Sequence, residues 1–291
     1  MSETWDARPV GVFDSGLGGL TAVRELFRVL PGESVVYFGD TARVPYGSKS
    51  GETVTRFSLE IARFLTRQDI KCLLVACNTA SSYALETLRS RLEIPVVGVI
   101  APAAGVAVTA GRPGAPVAGA SVPRRVGVIG TQATVASGAY ARAIAVLAPD
   151  TQVVSRACPL FVPLIEEGWL EHPVLRQVAE EYLAGLRDER LDCLILGCTH
   201  YPLIAPLLQE VVGPQVRLVD SGAEAALATA GLLRQRGLLA GPGRDPRHRF
   251  FLSDERLDFA RVARAFLGGE LPPTAIVDQT DLPWFERSIP H

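Results

Sequence analysis

The residues best suited to chemistry are four of the chain's five cysteines, which occur in two copies of one pattern. "CLLVACNTA" runs from Cys72 to Ala80 and "CLILGCTHY" from Cys193 to Tyr201. Within each copy the cysteines are five apart, and Cys77 and Cys198 lie 121 positions apart, as do Cys72 and Cys193. Side chains alternate along a strand, so an odd spacing sends the members of each pair to opposite faces and prevents them from chelating one metal together. Zinc sites use tighter spacings with further Cys or His ligands, and "CTH" offers only Cys198 and His200, so no metal is expected. Cys72 and Cys193 start apolar runs and read as core fillers, and Cys158 also reads as structural. Cys77 and Cys198 each end a strand-like run and are followed by hydrogen-bonding residues, Asn78-Thr79 and Thr199-His200, able to cap a helix.

Two opposed thiols suit proton exchange at carbon: a thiolate removes a proton from one face and a thiol protonates the other, inverting a stereocentre. Holding one cysteine as thiolate at neutral pH costs roughly 2 kcal/mol, which a helix N-terminus and a neighbouring hydrogen bond can offset. Two thiolates would repel across a shared site, so the working state has one charged and one neutral sulfur. The carbanion needs donors already aimed at the substrate carboxylate, such as backbone N–H groups and Ser, Thr or Asn at helix starts.

Other polar turns supply candidates. "FDSGLGGL" puts Asp14 and Ser15 before a Gly16, Gly18, Gly19 turn; a dinucleotide loop with Asp40 on the ribose is the competing reading, but the glycines are spaced G-x-G-G and Asp14 would face a pyrophosphate. Beside a thiol and a substrate ammonium, Asp14 makes sense as acceptor and pKa tuner. "GDTARVPYGSKS" offers Tyr46 and the Gly47 backbone, and "IGTQATVAS" places Thr131 and Thr134 at the matching turn of the second half, where taken singly each reads as a cap. Glu166 and His172 are uninformative alone. The only lysines, Lys49 and Lys71, are poor anchors for a pyridoxal Schiff base, which favours a cofactor-free enzyme.

These residues need a frame. At 291 residues and 48% hydrophobic, the chain can bury a sizeable core as one large or two modest domains. A net charge of −2 gives no basic field for nucleic acid. The first residues lack a signal peptide's features, and the apolar stretch Ile94 to Ala110 is short for a bilayer and broken by Pro and Gly, so a cytoplasmic protein with free thiols and no membrane span is expected. Short apolar runs alternate with amphipathic segments, the pattern of an α/β parallel sheet. Strands are predicted at Pro9–Asp14, Ser34–Asp40, Cys72–Cys77, Pro95–Val99, Arg125–Thr131, Cys193–Cys198, Val216–Asp220 and Arg249–Asp254. Ala110 to Arg125 reads as a flexible loop beside a domain boundary, and the chain after Gly268 as an irregular tail packed by Trp284 and Phe285. "PVGVFDSGLGG" and "RVGVIGTQAT" precede the two cysteine motifs at similar distances, implying a duplicated α/β unit.

Taken together, "FDSGLGG", "GDTARVPYG", "VACNTA", "GVIGTQAT", "CPLFVPLIEEG" and "LGCTHYPL" resemble glutamate racemase, in order and over nearly the whole chain. The resemblance implies two pseudo-symmetric parallel-sheet domains, residues 1–100 with 222–291 and residues 101–221, with the site in the cleft between them. It implies an isomerase that interconverts L- and D-glutamate for peptidoglycan and so serves cell-wall biogenesis and cell shape. Cys77 and Cys198 would be the acid/base pair, with Asp14 beside Cys77 and with Glu166 and His200 beside Cys198. Glutamate would be held by Asp14, Ser15, Tyr46, Gly47, Asn78, Thr79, Thr199 and His200, with Thr131 and Thr134 lining the site. The Ala110 to Arg125 loop is longer than that family leads one to expect, so a homodimer and its geometry stay open. An aspartate racemase, a non-catalytic cleft binder and a nucleotide-dependent oxidoreductase are the rivals. A substrate panel, a Cys77→Ser exchange and nicotinamide absorbance separate them.

Overall fold

A computed structural model describes residues 5–109, 125–255, 258–280 and 283–286. The expected loop between the halves, at 110–124, lies outside the described residues. Among the described residues ten strands form two sheets: β1 (Val10–Asp14), β2 (Val35–Gly39), β3 (Cys72–Val75), β4 (Val96–Gly98), β5 (Arg125–Gly130), β6 (Gln152–Ala157), β7 (Cys193–Gly197), β8 (Arg217–Asp220), β9 (Arg249–Leu252) and β10 (Thr274–Ile276). The first sheet has the order β10-β9-β2-β1-β3-β4 and the second β6-β5-β7-β8, with every pairing parallel. Four strands of the first sheet, β2-β1-β3-β4, repeat the order of the second, so β3 and β7 hold equivalent places and each leads into one cysteine motif. In both halves the carboxyl ends of the central strands are level: Asp14 pairs with Gly39 in one, and Gly130 with Gly197 in the other.

The inner strands form because their runs are apolar on both faces, as a parallel sheet covered by helices on both sides demands. Along β1 and β3, Val10, Val12, Cys72 and Leu74 enter one core while Phe13, Leu73 and Val75 enter another on the opposite face. The larger core continues into the second sheet through Val126, Val128, Leu194 and Ile195. Helix Ser221–Arg236 packs against helices Leu20–Val29 and Ile100–Thr109. Its buried face is Ala225, Ala226, Ala230 and Leu233, small enough to let the helices approach closely. Asp220 caps its N-terminus by accepting from the Gly222 and Ala223 amides, and Gly237 ends it in the left-handed region at φ 65°.

Three expectations need correcting. β6 is not foreseen by its sequence, because this edge strand is half exposed and carries Gln152, Ser155 and Arg156 where a buried run would be apolar. The chain after Gly268 is not wholly irregular, since β10 adds to β9, while Trp284 is buried on Phe38 at 5.6 Å and Phe64 at 5.9 Å. β3 and β7 stop short of Cys77 and Cys198, which sit in the turns beyond them. Lys71 lies at the opposite end of β3, where its buried ammonium pairs with Glu33 and donates to the Asp6 carbonyl. Among the described residues no helix is long and apolar enough to cross a membrane.

Candidate active site

The turns after β1, β3, β5 and β7 converge on one cavity of about 400 Å³. Ser15, Tyr46, Gly47, Cys77, Asn78 and Thr79 line it from the first half, and Thr131, Glu166, Cys198, Thr199 and His200 from the second. Asp14 and Thr134 are not among its lining residues; both are buried just behind it. Apolar lining from Val44, Pro45, Pro159, Val162 and Pro163 was not anticipated, because isolated Val and Pro carry no chemical signal in a sequence. The volume suits a small polar molecule.

Cys77 follows β3 and is itself the N-cap of helix Asn78–Tyr83: its sulfur accepts from the Ala80 N–H at 3.4 Å and its thiol donates to the Ser15 hydroxyl at 3.5 Å. A helix start favours thiolate, but at Cys77 burial, with the Asp14 charge adding to it, pushes the thiol up to about 12. Desolvation outweighs a weak dipole here. Asp14 is wholly buried, accepts from the Gly16 amide at 3.1 Å, and keeps one carboxylate oxygen without a hydrogen-bond partner. Burial raises its carboxyl too, against lowering contributions from His200 and the turn amides.

Cys198 has different company. His200 Nδ1 lies 3.7 Å from its sulfur and 3.4 Å from the Thr199 hydroxyl, while His200 Nε2 lies 2.9 Å from the Glu166 carboxylate. Burial disfavours a charged ring, yet the bonds to Cys198 and Glu166 outweigh it and push His200 up to about 10. A protonated imidazolium then links a carboxylate to a sulfur. Phe266 closes the ring's other side, edge-on at 4.9 Å.

Other candidates are held by neighbours. The Tyr46 hydroxyl is engaged by buried Asp40, which also accepts from Arg43 and from Ser253 at 2.9 Å. Asp40 therefore has structural partners and not the ribose role weighed from sequence. Thr131 caps helix Gln132–Ala136 by accepting from the Thr134 amide, and the Thr79 hydroxyl reaches Thr131 at 3.0 Å and Thr134 at 3.1 Å, so the capping reading and the lining reading both hold for Thr131. His172 is exposed, caps helix Pro173–Asp188 and stacks on Trp169.

The halves meet around the cavity through glycine. A Cβ on Gly18 would lie 2.3 Å from the Thr199 hydroxyl and 2.5 Å from His200 Nδ1, and one on Gly47 would lie 2.7 Å from Thr131. Thr21 adds a hydrogen bond from its hydroxyl to the Thr199 carbonyl at 2.9 Å. Among the described residues no Lys or Arg lines the cavity, and the polar groups facing it are hydroxyls, backbone amides and His200. The arrangement can therefore present one thiol beside a carboxylate and another beside an imidazolium to the same small anion.

Comparison with known proteins gives a consistent set of relatives. A family model described as Asp/Glu/Hydantoin racemase matches residues 16–229. The chain is 53% identical over 267 residues to a glutamate racemase of Geobacter metallireducens, covering 92% of this chain and 94% of that one. A glutamate racemase of Neisseria meningitidis is 47% identical over 262 residues, 90% of this chain and 93% of its own. Among solved structures, glutamate racemase from Francisella tularensis in complex with D-glutamate superposes with a TM-score of 0.86 at 38% identity, over 94% of this chain and 99% of that one.

Proposed function

This chain belongs to the glutamate racemases, within the Asp/Glu/Hydantoin racemase family, and from that premise we propose that it interconverts L- and D-glutamate by a two-base mechanism using Cys77 and Cys198. The observation that carries the proposal is the pair of buried thiols facing one cavity, each with a polar group suited to a different protonation state. They are near enough that a charge on Cys198 raises Cys77, so one negative sulfur at a time is the favoured state.

In one direction the Cys198 thiolate, facing the His200 imidazolium, takes the α-proton and becomes a thiol. The electron pair left on carbon is stabilised through the adjoining carboxylate by hydroxyls of Ser15, Thr79 and Thr199 and by backbone amides of the turns. The Cys77 thiol then delivers its proton to the other face and is left as thiolate. Product leaves, and exchange with solvent restores the starting charges. The reverse direction starts from the Cys77 thiolate, which needs relief from the Asp14 charge; the substrate ammonium or protonation of that raised carboxyl supplies it. Tyr46 and Gly47 close the first-half wall. Thr131, Thr134 and Thr79 tie that wall to the second half.

We read the domains as residues 1–100 with 222–291 and residues 101–221. The enzyme would work in the cytoplasm, supplying D-glutamate for peptidoglycan. The deciding experiment runs the reaction in D2O from L-glutamate: the D-glutamate formed should carry solvent deuterium at the α-carbon. Inversion without label, or label without inversion, would overturn the two-base reading.

A further inference from the structure

Tyr140 and Ser221 stand out from a survey of the buried polar groups because neither lines the cavity, yet both hold the residue next to Cys77. The Asn78 amide is buried, accepts from the Tyr140 hydroxyl at 2.6 Å and donates to the Ser221 hydroxyl at 3.1 Å. Ser221 in turn donates to the Leu196 carbonyl at 2.8 Å. Leu196 is in β7, two residues before Cys198. The Tyr140 ring also lies beside Gly197, where an added Cβ would come within 3.2 Å of it. Every bond in this chain has a fixed direction: hydroxyl to amide oxygen, amide N–H to hydroxyl, hydroxyl to carbonyl. It links Asn78, the neighbour of one thiol, to Leu196, two residues before the other.

From this we infer that Tyr140, Asn78 and Ser221 form a buried strut that sets the separation and relative height of Cys77 and Cys198, making Tyr140 and Ser221 positioning residues for the reaction. The inference rests on the two-thiol reading above. Two thiols must reach opposite faces of one carbon, and a displacement of about 1 Å in a reacting group can cost about 100-fold in rate. Loops alone would leave that spacing soft. The strut instead references both turns to β7 and to the starts of helices Ala139–Leu147 and Ser221–Arg236. Half of the Asn78 amide's hydrogen-bonding capacity is thus committed to protein, with one N–H left for the cavity.

The test compares the full-length enzyme with its Tyr140→Phe and Ser221→Ala variants. Initial rates in both directions should fall about 10-fold or more in kcat, with KM for glutamate within about twofold, because the cavity walls are untouched. A second readout distinguishes misaligned thiols from a general loss of folded enzyme. In D2O the native enzyme should place deuterium only in the newly formed enantiomer at early times. The variants should show label in the recovered starting enantiomer as well, because a carbanion that the second thiol cannot reach is reprotonated by the first after solvent exchange. Circular dichroism checks folding. Native-like kcat and labelling in both variants would overturn the strut, as would loss of folded signal in both, which would make the network a stability element only. A native enzyme that fails to invert glutamate would instead overturn the underlying racemase reading.

Discussion

Replacing Glu166 by Gln preserves the shape of the side chain beside His200 and deletes its charge. His200 is raised to about 10, burial opposing the charged ring and the bonds to Cys198 and Glu166 prevailing. For a raised pKa the charged form is favoured below it, so the imidazolium is fully present at neutral pH and is lost as pH climbs through about 10. A hydrogen bond to a charged partner contributes about 1.5–3 kcal/mol, and about 1.4 kcal/mol corresponds to one pH unit. The Glu166 side chain is 22% exposed and its contact is 2.9 Å, so water screens part of that interaction and the lower end applies. The alkaline limb of kcat/KM should therefore move down by about one pH unit in Glu166→Gln. The assay is the initial rate of optical change from L-glutamate at low concentration, from about pH 6 to about pH 11, since kcat/KM reports groups of the free enzyme. An alkaline limb that stays in place or moves upward would refute the idea that a Glu166-supported imidazolium serves Cys198.

Further outcomes follow from the same geometry. Cys77→Ala and Cys198→Ala should each lower interconversion by about 10²- to 10⁴-fold, read by chirality; a variant retaining native rates removes that sulfur from the mechanism. Gly18→Ala places a methyl 2.3 Å from the Thr199 hydroxyl, so stability should drop by about 1–3 kcal/mol in urea titration with kcat falling alongside, and an unchanged kcat would show that the seam can yield without moving His200. Trp284→Ala opens a hole beside Phe38 and Phe64 and should cost about 3–5 kcal/mol; a loss under about 1 kcal/mol would mean the tail does not hold the first sheet.

Much of this was legible in residue types. Apolar runs announce eight of the ten described strands, and repetition of one cysteine motif announces equivalent places in two sheets. β6 escapes because this edge strand is largely exposed and carries polar residues, and β10 because it is a three-residue edge strand exposed throughout. Asp14, with a carboxylate in a strand end beside a thiol, could be picked out by chemistry, whereas Glu166 reads as an ordinary helical acid until folding sets it against His200. Which of the two sulfurs is the harder to ionise could not be read beforehand: a sequence shows that a helix follows Cys77, but not that the sulfur is buried beside a carboxylate. Tyr140 and Ser221 lie 62 and 143 residues from Asn78, so no local pattern could join them.

The unlike surroundings of the two sulfurs, within like strand orders, meet a limit imposed by the substrate. Mirror-image amino acids have equal free energies in water, so the enzyme must leave them at equal concentrations however it treats them in transit. At low substrate the specificity constants for the two hands are then forced to be identical. Whatever bias Asp14 and His200 create can surface only as paired changes: the hand that turns over faster at saturation must also bind more weakly, by the same factor.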